Sequence, residues 1–345
     1  MRLDVRPASR LPAQYLYTSA NTPKSVAVTR QLLISEIRDL LVRSGFCASE
    51  PMDPWTAVFD LVARRDDQLL IIKTYTNVDR LAADGAGELR AMAATLKAAP
   101  LVIGLKSSRS ELEDGVLYIR QSVPIMTLGT LSDHLLEGVP PFIYAGPGGK
   151  YVDLDGDTLA NARQERGLSL SELADAAGVS RRSVQMYEQG MSAQVETAFR
   201  LEQFLGIPLV RALDPFSHSD ELEIRRTEIS ELQEIEQDVF GRLESLGYRV
   251  LPTIGCPFNA LSSTQRYVFL TGVKAGRPDL NTKVRARVIA QISRVTEQDG
   301  VIIIEKKVEQ TSISGTPVIT REELDKLDDP DEVLRIIQER GGRSC

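Results

Sequence analysis

One stretch limits the fold of this chain more than any other: SLSELADAAGVSRRSVQMYEQG, Ser169 to Gly190. Leu173, Ala174 and Ala177 place small and apolar residues on one face of a first short helix, so a second helix can pack closely against it. Gly178 permits the left-handed backbone that ends a helix abruptly. Val179 is the apolar residue that buries the turn, and Ser180 is suited to cap the second helix by accepting a bond from its free amides. Val184 and Tyr187 then face inward, which leaves Arg181, Arg182, Ser183, Gln185 and Met186 outward. The pattern predicts two short helices bent around a glycine, the second opening on two cations.

The surrounding residues carry a resemblance. From DTLANARQERGLSLSELADAAGVSRRSVQMYEQG through VETAFRLEQFLGIPL, about 55 residues resemble the Cro and lambda-repressor family of helix-turn-helix domains. The shared features are an Arg-rich first helix, Gly-Leu-Ser before the second, Gly-Val-Ser in the turn, Tyr-Glu-x-Gly after the reading helix, and an apolar fourth helix. The reading helix corresponds to Ser180–Gln189. The resemblance implies base contacts from Arg181, Arg182, Gln185 and Met186, within a DNA-facing set that also takes in Ser180 and Gln189. It implies phosphate contacts near Leu170, Ser183 and the Ser192–Val195 loop. Arginine suits the first role because its planar fork bonds two acceptors of guanine at once, whereas Met186 offers only apolar contact, as to a thymine methyl. The loop MSAQVE departs from the family pattern, since it holds no proline and no cation to anchor a phosphate. Residues 157–211 hold six arginines and seven carboxylates, a balance of −1, so binding must rest on local placement. Arg163 and Arg166 are expected to join Arg181 and Arg182 on the DNA side.

On either side, helical and strand-like runs alternate, which gives the fold class: multidomain, α/β plus all-α, with a central helical domain between two α/β domains. The expected divisions are an N-terminal extension over 1–27, an α/β domain over 28–140, and a Gly/Pro-rich linker or hairpin over 141–156. The helix-turn-helix domain follows over 157–214 and a second α/β domain over 222–340. IRDLLVRSGF finds a partner in VFGRLESLGY, and ELRAMAATLKAAPLVIGLK in KVRARVIAQISRVTEQDGVIIIEKK, so the second α/β domain reads as a duplicate of the first.

The first of these domains resembles the PD-(D/E)xK nucleases, distantly the archaeal Holliday-junction resolvases. That family holds magnesium with carboxylates beside a lysine, and the matching positions are Glu36, Asp60 and Lys73. The carboxylate two residues before the lysine is replaced by Ile71, and a branched alkyl group binds no hard cation. Asp66 and Asp67 sit in the hairpin turn and do not replace it. In the second copy Asn259 stands near the place of Asp60, and no carboxylate precedes Lys274. No catalytic residue is therefore expected: Glu36 reads as a solvated helix face and Lys73 as a charged strand end. The degenerate domains are expected to pack, to pair two copies of the chain, and to leave room for a small-molecule effector. The helix containing Lys283, Arg285, Arg287 and Arg294 reads first as a solvated face, with phosphate contact as the alternative.

Composition narrows the remainder. The net charge of −7 argues against a protein coated in basic surface. Only two histidines occur, His134 and His218, and Cys47, Cys256 and Cys345 show no ligand spacing, so neither a metal nor a cofactor is expected. GPGGK lacks the spacing of a phosphate loop. The longest apolar runs are strand-sized and the first residues lack the core of a secretory signal, so a cytoplasmic protein without membrane contact is expected. The whole layout resembles a family of archaeal helix-turn-helix transcriptional regulators. That resemblance implies a homodimer on double-stranded DNA. Two alternatives stay open: a nuclease with an atypical site, and an interaction scaffold that no longer touches DNA.

Overall fold

A computed structural model describes residues 30–52, 58–216 and 232–341. The expected extension over 1–27, together with His218 and Cys345, lies outside the described residues. In chain order the first elements are α1 (Arg30–Arg43), β1 (Cys47–Ala48), β2 (Leu61–Arg65), β3 (Gln68–Asn77), α2 (Ala83–Leu96) and β4 (Ala99–Lys106). Next come β5 (Val116–Arg120), β6 (Val123–Met126), α3 (Leu128–Leu136), β7 (Ile143–Gly146), β8 (Gly149–Val152), α4 (Gly156–Glu165), α5 (Leu170–Ala177), α6 (Arg181–Glu188), β9 (Ala193–Gln194) and α7 (Val195–Leu205). The last are α8 (Glu234–Ser245), β10 (Arg249–Pro252), β11 (Ala260–Ser263), β12 (Val268–Lys274), α9 (Leu280–Thr296), β13 (Asp299–Ile304), β14 (Ser312–Ile313), β15 (Thr316–Thr320), α10 (Arg321–Asp325) and α11 (Pro330–Gly341).

Packing divides the chain into two compact units. Among the described residues, one is formed by 30–52, 58–103, 121–123, 216 and 232–341, the other by 104–120 and 124–215. The first unit holds two lobes that run through the same order of helix, strand, hairpin, helix and strand. In the earlier lobe Leu33, Ile34, Ile37, Leu40 and Leu41 bury one face of α1, and the strands lie in the order β1-β2-β3-β4. Asp66 and Asp67 form the two-residue turn between β2 and β3, with Asp66 at φ 52, a region that aspartate tolerates. In the later lobe the order is β10-β11-β12-β13-β15-β14, with β12, β13 and β15 parallel. Tyr248 packs edge-on against Phe269 in its core, 5.1 Å between ring centres.

Backbone bonds fix the correspondence of the two lobes. The amide of Asp60 donates to Ile72 O (2.8 Å), and that of Asn259 to Thr271 O (2.7 Å). The Asp60 carboxylate accepts from Thr74 N (2.6 Å), and the Asn259 side-chain oxygen from Val273 N (2.8 Å). Lys73 therefore corresponds to Gly272, and Lys274 falls at the place of Tyr75, two residues from where the sequence comparison set it. The lobes pack crosswise, α9 against β2 and α2 against β11. Arg64 ties the first contact, donating to Thr296 O (3.2 Å) and pairing with Glu297 (3.0 Å).

In the second unit β5 runs parallel to β7, β7 forms a hairpin with β8, and β8 pairs with β9 just ahead of α7. The Gly/Pro-rich segment is thus an ordered hairpin, with Tyr144 and Tyr151 stacked across it at 5.8 Å. Val152 and Leu154 join Leu159, Leu173, Ala177, Val184, Leu201 and Leu205 in one core, so the hairpin and the helices are a single packed body.

Candidate nucleic-acid interface

The helix-turn-helix is built from local bonds. Ser169 and Glu172 close a capping box at the start of α5: the Ser169 hydroxyl accepts from Glu172 N (3.2 Å) and the Glu172 carboxylate from Ser169 N (2.8 Å). Gly178 ends α5 at φ 71 and ψ 34, the left-handed cap that only glycine adopts at little cost. Ser180 caps α6, its Oγ accepting from Ser183 N at 3.1 Å. Val184 and Tyr187 turn into the core, while Arg181, Arg182, Gln185, Met186 and Gln189 share the exposed face. Neither Arg181 nor Arg182 has a hydrogen bond or ion pair among the described residues. Two cations at the N-terminus of a helix oppose its dipole, at about 0.3–1 kcal/mol each, and no acid in that turn offsets them. Their position costs stability and gives access. Leu170 is half-buried at the start of α5 and packs against the core, so any phosphate contact there comes from its backbone amide.

Two cations expected beside them are engaged by other groups instead. Arg163 forms a forked ion pair with Glu188 at the end of α6, 2.5 Å from Nε and 3.0 Å from Nη2, and also donates to Leu168 O at 3.2 Å. Arg166 donates to the carbonyls of Leu205 and, at 3.4 Å, Phe204 at the end of α7. Arg166 thereby satisfies the end of α7, which would otherwise be left unpaired. Arg200 reaches Ala177 O at 3.3 Å, and Arg211 pairs with Asp155 at 3.0 Å. Of the six arginines over 157–211, only Arg181 and Arg182 are left without such a partner. The start of α4 crosses the end of α6 so closely that a Cβ on Gly156 would lie 2.5 Å from Glu188 O and 2.8 Å from Tyr187 O. Nothing in the sequence pattern marked that crossing.

The nuclease-like residues divide. Glu36 is exposed on α1, as a solvated helix face should be. Asp60 is fully buried and Lys73, expected at an open strand end, is buried in mid-strand beside it with Nζ 3.2 Å from Oδ1. Arg30, which the sequence comparison did not single out, also pairs with Asp60 and reaches Thr74 O at 3.2 Å. Ile71 is fully buried at the position of the second carboxylate. Two cations and a backbone amide thus surround the one carboxylate present. A divalent metal does not fit this donor set. Burial next to Asp60 pushes the Tyr75 hydroxyl above its usual range. In the later lobe Asn259 bonds Arg285 at 2.7 Å and also Glu236, so the equivalent position is neutral and self-satisfied. Among the described residues no three His, Cys, Asp or Glu side chains gather as a metal site, and no helix is long and apolar enough to cross a membrane.

Comparison with known proteins bears on both regions. Residues 30–141 match the PD-(D/E)XK superfamily domain, and residues 159–211 match the helix-turn-helix family. A protein of Methanosarcina barkeri named "Putative HTH-type transcriptional regulatory protein" is 36% identical over 324 residues, spanning 91% of this chain and 98% of that protein. Proteins of the same description from Natronomonas pharaonis and Halorubrum lacusprofundi are 35% and 36% identical, each across 91% of this chain and 99% and 98% of their own lengths. No solved structure matches the chain.

Proposed function

This chain belongs to the family of archaeal HTH-type transcriptional regulatory proteins, and from that premise we propose that it reads operator DNA by laying α6 in the major groove. The observation that carries the reading is the pair of unpartnered guanidinium groups, Arg181 and Arg182, at the exposed start of a capped helix. Arg181, Arg182, Gln185 and Met186 take the base edges; Ser180, Ser183, Gln189 and the amide of Leu170 hold the flanking phosphates. One eight-residue helix touches only a few base pairs, which supports a homodimer on half-sites one helical turn, about 34–36 Å, apart. The domain divisions expected from the sequence remain part of this reading, and the repeated order of helix, strand and hairpin in the two lobes supports a duplication. The lobes serve dimerisation and effector sensing, in the cytoplasm where the operator lies, and they hydrolyse no phosphodiester because Asp60 is already neutralised by Arg30 and Lys73.

The test is a duplex-binding titration with the full chain, beside incubation of duplex and junction DNA in magnesium and in manganese. Sequence-selective binding that Arg181→Ala and Arg182→Ala weaken, with no cleavage, is the expected result. Cleavage abolished by Asp60→Ala would install the nuclease reading, and indifference to every duplex would install the scaffold.

A further inference from the structure

The helix-turn-helix offers phosphates polar contacts but few free cations, so neutralising their charge calls for cations elsewhere in the chain. Specific binders commonly neutralise about 6–10 phosphates, whereas the residues over 157–211 leave two arginines unpartnered and carry a net charge of −1. Within a chain of charge −7, α9 concentrates the opposite sign. The 17 residues of α9, LNTKVRARVIAQISRVT, contain Lys283, Arg285, Arg287 and Arg294 and no carboxylate.

The four cations do not behave alike. Arg285 points into the lobe, donating to Pro257 O at 3.0 Å and to Asn259 at 2.7 Å. Lys283, Arg287 and Arg294 are exposed and have no hydrogen bond or ion pair among the described residues. At about 100° per residue they fall within an arc of about 40°, and the helix rise spaces them about 6 and 10 Å apart along one edge. The carboxylates nearest the helix ends are engaged: Asp279 pairs with Lys274 at 2.7 Å, and Glu297 with Arg64 at 3.0 Å. The tip of the β14–β15 hairpin flanks the middle of this edge, where a Cβ on Gly315 would lie 3.9 Å from the Ala290 methyl. That tip, Thr311 to Gly315, offers hydroxyls and amides and no charge. The corresponding helix of the earlier lobe, α2, carries Asp84, Glu88 and Arg90 and has no such edge, so the shared fold does not require it.

We propose that α9 is a second DNA surface, on which Lys283, Arg287 and Arg294 neutralise backbone phosphates of duplex DNA. The inference rests on the reading of α6 proposed above for its sequence selectivity, and on the charge and exposure of α9 for its own contribution. Because phosphates carry no sequence, the ridge strengthens binding to every duplex equally.

The experiment measures binding of the full chain to a selected 30-base-pair duplex and to a scrambled one, across a salt series. The triple substitution Lys283→Gln, Arg287→Gln, Arg294→Gln removes three contacts, so the slope of log affinity against log salt falls by about 2.7 and affinity at 0.15 M salt falls on the order of 100-fold. Both duplexes lose equally, and the charge-keeping set Lys283→Arg, Arg287→Lys, Arg294→Lys retains the slope. An unchanged slope in the folded triple variant overturns the proposal, as does equal loss in the charge-keeping set. Failure of the α6 reading looks different: the two duplexes then bind alike from the start, while the ridge still shows on either.

Discussion

The forked pair of Arg163 and Glu188 makes a sharp energetic prediction, because it fixes the end of α6 to α4 from a position that solvent barely reaches. The two side chains are 15% and 13% exposed, and two bonds of 2.5 and 3.0 Å join them. Removing one partner of a fully buried pair costs about 3–5 kcal/mol, and an exposed pair contributes about 0.2–1 kcal/mol. This pair lies nearer the first case, so a single substitution should cost about 2–3 kcal/mol. The two substitutions should differ. Arg163→Met strands Glu188 at the C-terminus of α6, where the helix dipole repels an anion. Glu188→Leu strands Arg163 in the last turn of α4, where the dipole favours a cation and Leu168 O still accepts from it. The first variant is therefore the weaker protein. The double variant, with an apolar pair in place of the ionic one, should return to within about 1 kcal/mol of the wild type. Since the chain has two compact units, one global unfolding energy is ill-defined; hydrogen exchange at the amides of α4 and α6 isolates the region concerned. Additive losses, or single losses below about 0.5 kcal/mol, would refute the reasoning.

Further expectations follow from single contacts. Gly156→Ala forces α4 from the carbonyls of Tyr187 and Glu188; overpacking of this kind costs about 1–3 kcal/mol, and α6 should exchange faster while the amides of α9 do not. Glu323 accepts from Arg340 at 2.7 Å, and this bond, with the Thr320 cap, holds its carboxyl down at about 2 against burial. A depressed folded value gives stability that is present above the unfolded value near 4.5 and is lost as pH falls toward 2. The pair is partly open to water, so the share is about 0.2–1 kcal/mol, and Glu323→Gln should flatten the acid limb of exchange at α10 and α11.

Much of the helix-turn-helix was legible because its determinants are close in sequence. Gly178 at the turn, Ser180 at the cap, and Val184 with Tyr187 on the inner face all stand where the spacing set them. The misreadings concern partners far apart in the chain. Arg163 and Arg166 look like DNA-side cations until Glu188 and the carbonyls of α7, 25 and 39 residues away, are seen beside them. Lys73 looks like an open strand end until β2 is folded back and Asp60 arrives with Arg30. The correspondence of Lys73 with Gly272 needed the ladder bonds of Asp60 and Asn259, which a comparison of short similar strands cannot register. The basic edge of α9 lay in the sequence as a set of cations, but its separation into three outward residues and one inward depended on where Asn259 and Pro257 lie.

Selection of bound fragments from genomic DNA, with the wild type and with Arg181→Ala, tests the two free guanidinium groups of α6 most directly. The wild type should recover one recurring sequence, and the substitution should relax it at a guanine position by about 1–3 kcal/mol of discrimination. Recovery of the same sequence with undiminished preference by Arg181→Ala would contradict base reading by α6.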